Sequence, residues 1–200
     1  MPTAFLEHVA RPPLESLPRK KWTVCEIEDL ISKGCSFKRY ELIDGELIDR
    51  QMGMNLPHML AAMWIQEWLI GLFGLRRIHR EYPIVVALQD SERNEPEPDF
   101  AVLRAPLNEL GRKPQAEDIL LAIEVAASTL AMDLSTKAEL YARAAFPDYW
   151  VLDVKQRRMI VHREPVEGKY TSVVVYREDE AVAPLAAPDS AFRVAAAFEE

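Results

Sequence analysis

The chain has 200 residues, enough for one domain with a substantial core. Its 49% hydrophobic and 28% charged composition is that of a globular protein, and no stretch approaches the roughly 20 apolar residues that a membrane span needs. A net charge of −8 argues against strong non-specific binding to nucleic acid, where phosphate neutralisation supplies most of the affinity. It leaves open an enzyme that meets phosphates through a local basic patch and a bound cation.

Residues 1–20 are proline-rich and show little periodicity, so they read as an extended arm ahead of a single domain over 21–200. The first residues carry an early acid, Glu7, and no basic region, a poor secretory signal, so the expected location is the cytoplasm. Cys25 and Cys35 lack the CxxC spacing of a zinc site, and in that compartment they are expected to stay unpaired. Thr23 is placed to cap a helix over Val24 to Ser32, with Glu26, Glu28 and Asp29 near its positive end and Gly34 as a stop. Between the apolar runs 40–43 and 46–48, Asp44-Gly45 predicts a two-residue hairpin turn.

Pro57 opens a helix from about His58 to Phe73, with Gly74 as its stop. It is apolar on most sides and is expected to be largely buried. Trp64, Trp68 and Phe73 fit packing on it better than base stacking. Strands are predicted at about 77–80, 82–88, 99–104 and 118–125, the last suited to a central position buried on both faces. Leu134, Ala138, Tyr141, Ala142 and Ala145 give a helix over Asp133 to Ala145 one apolar face, and Pro147 follows. Strands are then predicted over 149–153, 159–163, 169–177 and near 192–194, with a basic turn at 155–158. That turn reads as solvated rather than phosphate-binding.

The chemistry-bearing residues lie in the middle of this pattern. Asp99 follows Glu97-Pro98 at the head of one apolar run, and Glu124 ends the run Ile119 to Ile123. Lys137 follows on the next helix. Hydrolysis of a phosphodiester needs a deprotonated water, neutralised charge on phosphorus and a stabilised leaving oxygen, and a Mg²⁺ ion can serve all three. Magnesium keeps several waters, so one or two carboxylates suffice to hold it. Asp99 and Glu124 on adjacent strands suit that role, and a nearby lysine can orient the water as a compact point charge. Each residue also has a plain alternative: a turn acid after proline for Asp99, a structural ion pair for Glu124, a solvated helix lysine for Lys137. Ser128-Thr129 has no histidine nearby in sequence to activate it, which argues against acyl transfer.

Taken in order, 40–47, Pro57-His58, Glu97 to Val102, Leu121 to Ala126, Asp133 to Lys137 with 141–143, and Pro147 to Asp153 resemble the Uma-two family of restriction-type endonucleases, a branch of the PD-(D/E)XK nuclease superfamily. The resemblance spans about residues 22 to 163. It implies a restriction-endonuclease-like α/β core, a mixed sheet flanked by helices, here with an N-terminal helix and β-hairpin. It implies that Asp99 is the Asp of the PD motif and Glu124 the second acid. The superfamily pattern places lysine two residues after the glutamate, yet Ala126 stands there. The resemblance therefore moves the lysine to the following helix, where Lys137 fits.

The expected activity is a Mg²⁺-dependent endodeoxyribonuclease, with Mn²⁺ able to replace Mg²⁺ and DNA as substrate. Asp99, Glu124 and the carbonyl of Val125 would ligate the metal, and Glu41 resembles a recurrent family glutamate that would add a ligand. His58 is a candidate proton carrier, against a packing role. Asp133, one turn before Lys137, would pair with it or cap the helix. A homodimer is expected, since two sites can address two strands and the Leu56–Phe73 segment offers an apolar surface. The competing expectations are a catalytically quiet nucleic-acid- or protein-binding module on the same fold, and a phosphoesterase acting on a small nucleotide.

Overall fold

The computed structural model describes residues 19–37, 40–50 and 55–199. All but the last two residues of the expected N-terminal arm lie outside that range.

Local sequence rules build the entry to the fold. Helix α1 (Val24–Ser32) begins with a reciprocal cap: Glu26 N–H donates to the Thr23 hydroxyl, and Thr23 N–H donates to the Glu26 carboxylate. Strands β1 (Tyr40–Ile43) and β2 (Glu46–Asp49) form the expected hairpin. Asp44 and Gly45 both take positive φ, 48° and 71°, the pair of left-handed residues that a tight hairpin turn demands. A Cβ on Gly45 would also stand 3.0 Å from the carbonyl oxygen of Trp22, so glycine serves close approach as well as turn geometry.

Helix α2 (Leu56–Phe73) is capped by the Asn55 side chain, which accepts from His58 N–H. It is not buried all round. Ala61, Ala62, Ile65 and Leu69 enter the core, whereas Leu56, Met59, Leu60 and Met63 are exposed. Apolar residues on every side erase the periodicity that would have distinguished the two faces.

A six-stranded mixed sheet follows, in the order β3-β4-β5-β6-β7-β8. Its strands are β3 (Ile78–His79), β4 (Phe100–Leu103), β5 (Ile119–Ala126), β6 (Asp148–Asp153), β7 (Arg158–Val166) and β8 (Lys169–Arg177). β5 and β6 run parallel at its centre, and the other pairs are antiparallel. The short pair β9 (Ala181–Val182) and β10 (Phe192–Arg193) lies apart from it.

The strand expected at 82–88 does not form. Only an isolated bridge from Val85 to Gln115 occurs there. Pro83 has no N–H to give a ladder, and the N–H groups of Ile84 and Val85 go to the carbonyls of Pro96 and Pro114. Ile84 and Val86 are nonetheless buried, which accounts for the strand-like pattern. The helix expected from Asp133 starts earlier and is composite. Leu130–Met132 (α4) passes into a π-helical segment, Asp133–Lys137, then into α5 (Ala138–Arg143).

Each sheet face has its own core. One packs Phe100, Ile123 and Trp150 against α2 and the C-terminal segment around Val194 and Ala197. The other packs Ala101, Ala122 and Val151 against α5, Phe146 and the loop residues Ile84 and Val86. Trp68 of α2 stacks on Trp150, centroids 6.0 Å apart, so its role is packing, as expected. Among the described residues no helix is long and apolar enough to cross a membrane.

Candidate active site

The site stands at the C-terminal end of β5. Phe100 of β4 pairs with Ile123 of β5, so the same register carried one residue further sets Asp99 level with Glu124. Directly opposed side chains of an antiparallel pair share a face. Beyond the end of β4, the N–H of Val125 is released from the ladder and donates to Asp99 Oδ2 at 2.7 Å. In an extended strand the C=O of a residue points to the same side as its N–H. The Val125 carbonyl is thereby aimed at the same pocket.

The chain then turns and comes back over the strand end. Lys137, the last residue of the π-helical segment, places Nζ 3.0 Å from Glu124 Oε1 and 2.9 Å from Glu41 Oε1 of the hairpin. Asp133 Oδ1 lies 3.9 Å from the same nitrogen. π segments put side chains where a regular α-helix would not, and they recur at functional sites. Tyr141 donates to Glu124 Oε1 at 3.1 Å, and Tyr149 donates to the Asp133 carbonyl at 2.9 Å. Thr129, rejected above as a nucleophile, donates to Asp133 Oδ2 at 2.6 Å. His58, at the start of α2, brings Nε2 to 3.6 Å from Asp99 Oδ2.

Every candidate residue named from sequence therefore lines one small pocket of about 40 Å³: Asp99, Glu124, Val125, Lys137, Glu41, His58 and Asp133. Arg50 and Glu97 line it as well, and neither stood out in the sequence. They form an ion pair at 2.9 Å, and Glu97 N–H donates to Glu41 Oε2. Glu97 had a weak signal in its place two residues before Asp99. Arg50 had none.

The electrostatics are unbalanced. Glu41, Glu124 and Asp133 crowd around the one ammonium of Lys137, and all four side chains are nearly or wholly buried. Burial drives the Glu124 carboxyl well above its ordinary range, against the pull of Lys137 and with the help of Asp133 and Asp99. Burial likewise pushes Asp133 up to about 6, opposed by Lys137 and by the Thr129 hydroxyl. Lys137 is pulled the other way: burial would lower it, but Glu124, Glu41 and Asp133 together hold it well above the normal lysine value. For His58, burial would lower the value, but Asp99 together with Glu81 holds it above the ordinary histidine value. The pocket holds more carboxylate than its own cations neutralise.

That surplus is what a divalent cation would relieve. Asp133 Oδ1 is buried with no hydrogen-bond donor, one more acceptor than the fold satisfies. Among the described residues no three His, Cys, Asp or Glu side chains are gathered as a ready-made ligand set. The residues that could hold such a cation are Asp99, Glu124 and the Val125 carbonyl, all oxygen donors, which would suit a hard ion that keeps part of its water shell.

The family model described as "Uma2: Putative restriction endonuclease" matches residues 35–195. The chain belongs to the Uma2 family. The match begins later and runs further toward the C-terminus than the motif resemblance, taking in β8 and the β9–β10 pair. Among solved structures, the chain is similar to a putative nuclease belonging to DUF820 from Anabaena variabilis ATCC 29413. The TM-score is 0.64 at 13% identity, over 86% of this chain and 96% of that one. At that identity the likeness concerns the fold: a mixed sheet flanked by helices, as in that structure. No curated protein matches. The family is thus one described as restriction endonucleases, and the fold is shared with a protein described as a nuclease.

Proposed function

We propose that the pocket is the catalytic centre of a divalent-metal-dependent endodeoxyribonuclease. The observation that carries this reading is the convergence of Asp99, Glu124 and Lys137, from three separate elements, on one pocket with surplus negative charge. Asp99, Glu124 and the Val125 carbonyl would hold Mg²⁺ or Mn²⁺, with Glu41 as a further ligand. Such an ion, when bound, supplies Lewis acidity and an acidified water. The rest of the chemistry belongs to the protein. Lys137 orients the attacking water and offsets charge growing on the phosphate oxygens. Asp133 and Glu41 keep that lysine charged and fix its position. His58, beside Asp99 and able to change charge near neutral pH, accepts or returns a proton.

The substrate is DNA, cut within the chain, and the enzyme is a homodimer of single-domain subunits (residues 21–200). The exposed stripe Leu56, Met59, Leu60 and Met63 on α2 is the surface we assign to the subunit contact. Cys25 and Cys35 are free and exposed, which suits action in the reducing cytoplasm.

One observation favours a second reading, a catalytically quiet binding module. Lys137 is already engaged by two carboxylates, and the chain carries a net charge of −8. A plasmid-nicking assay decides between them. With Mg²⁺ or Mn²⁺ the wild type should nick, and Asp99→Ala, Glu124→Ala and Lys137→Ala should not. Binding of metal without cutting of any DNA would favour the quiet module. Nicking that survives all three substitutions would place the chemistry elsewhere. Cutting of a small nucleotide with no steep salt dependence would point to a phosphoesterase, because contacts to several phosphates weaken sharply with salt.

A further inference from the structure

A second cavity, about 720 Å³, lies on the other side of the β-hairpin from the acid pocket. The two share a wall. Arg50 and Glu97 line both, and successive residues of β1 divide between them: Glu41 enters the acid pocket, while Tyr40 and Leu42 enter the larger cavity. Alternation along a strand makes the hairpin a partition one residue thick.

The lining of the larger cavity is specific in kind. Phe37, Tyr40 and Tyr82 offer aromatic surface, with Ile27 and Ile31 of α1 beside them. Tyr82 and Ile31 are 55% and 50% exposed, so the aromatic and apolar surface reaches the mouth. The cations of the cavity are already neutralised. Lys113 is held by Glu95 at 2.6 Å and Glu28 at 3.1 Å, and Arg50 by Glu97. A site so lined is unsuited to another phosphate. It suits a flat, uncharged, aromatic ligand whose amino groups can donate to carboxylates at the rim. The volume is in the range of small-molecule sites and exceeds that of a single nucleoside.

We propose that this cavity receives a nucleobase, unstacked from the strand whose phosphate reaches the acid pocket. The inference rests on the hydrolytic reading of that pocket, and it specifies the substrate further. The scissile bond lies next to a base that is unpaired or turned out of its stack, held against Tyr82 and Tyr40. Single-stranded or distorted DNA is then preferred over regular duplex.

The test is the binding of a fluorescently labelled single-stranded DNA oligonucleotide, followed by anisotropy with Ca²⁺ in place of Mg²⁺. A second strand of the same length, with abasic sites at its centre, serves as the comparison. Stacking on an aromatic side chain predicts that the wild type prefers the intact strand by about tenfold. Tyr82→Ala and Ile31→Trp, the latter filling the mouth, should each remove that preference, and Tyr82→Trp should restore or retain it. Both positions are exposed, so the fold should tolerate the changes, and an unchanged melting temperature verifies this. A wild type that binds intact and abasic strands equally, or binds neither, overturns the base site, as does a preference that survives both cavity-blocking variants. The hydrolytic reading fails separately. Base-dependent binding without nicking would leave the base site standing and remove the nuclease, whereas nicking with base-independent binding would do the reverse.

Discussion

Two of the acids buried on the central β5–β6 pair, Asp148 and Glu124, lie toward opposite ends and on opposite faces, and the fold treats them in opposite ways. Asp148 opens β6 and is fully enclosed. Arg163 reaches both its carboxylate oxygens, at 2.8 and 3.2 Å, and the Trp150 indole and the Leu185 N–H donate to it as well. Donors are matched to acceptors, and the cation is a guanidinium suited to bidentate pairing. Glu124, near the end of β5, shares one lysine with Glu41 and Asp133, while a neighbouring acceptor has no donor. One arrangement is complete and the other is short of positive charge. A satisfied buried acid fixes the fold. An undersupplied one leaves room for a ligand to complete it.

Substitutions at the two acids should therefore part company. Glu124→Gln should reduce nicking by at least about 100-fold while shifting stability by no more than about 1 kcal/mol, because the amide relieves surplus charge. Asp148→Ala should cost about 3 kcal/mol in chemical denaturation by stranding Arg163 and two further donors, without touching the pocket directly. Lys137→Met tests the balance from the other side. It leaves Glu41 and Glu124 facing each other with no cation, so it should cost about 3 kcal/mol as well as activity, and a second change, Glu41→Gln, should recover part of that stability.

Metal sharpens the contrast. Mg²⁺ or Mn²⁺ at about a hundredfold excess over its Kd should stabilise the wild type by about 2.7 kcal/mol, read from the rise in Tm. Asp99→Ala should abolish the rise, and Asp148→Ala should leave it intact. The smallest effect concerns histidine. His162 is buried between Tyr149 and Tyr170, and burial pulls it below its ordinary value, outweighing its backbone contacts. The unfolded chain then takes up the proton first. Stability should be full above the unfolded value near 6.5 and fall as the pH drops below it, levelling once the folded value is passed. His79 is lowered by burial too and adds to the same slope. His162→Leu should flatten the part due to His162 in denaturant melts from pH 7 downward.

Much of this fold was legible because local chemistry decided it. Asp44-Gly45 sets the hairpin, Thr23 starts α1, and the run from Ile119 to Val125 has the composition of a doubly buried strand. The acids at 99 and 124 were legible for a related reason, since a charged residue at the end of such a run needs a partner. What escaped was set by tertiary contact. Ile84 and Val86 are buried by the packing around them, without a ladder, so burial mimicked a strand. Both faces of α2 are rich in apolar residues, and only one meets the sheet. The π-helical segment that aims Lys137 has no signature in Asp133-Leu134-Ser135-Thr136-Lys137. Arg50 lies just past the hairpin, far in sequence from Glu97, and nothing local links them. Asp148 and Glu124 look alike in one dimension, as acids beside apolar strands. Their cations, Arg163 and Lys137, come from other elements, and only the fold separates them.

On the function proposed above, the Glu124 pocket is a place of chemistry rather than an ion cluster that holds the fold together. The most direct measurement pairs plasmid nicking in Mn²⁺ with thermal melting for wild type and Glu124→Gln under the same buffer. Nicking should be lost while the melting temperature is held or raised. A variant that still nicks, or one that loses nicking only because it has unfolded, would contradict it.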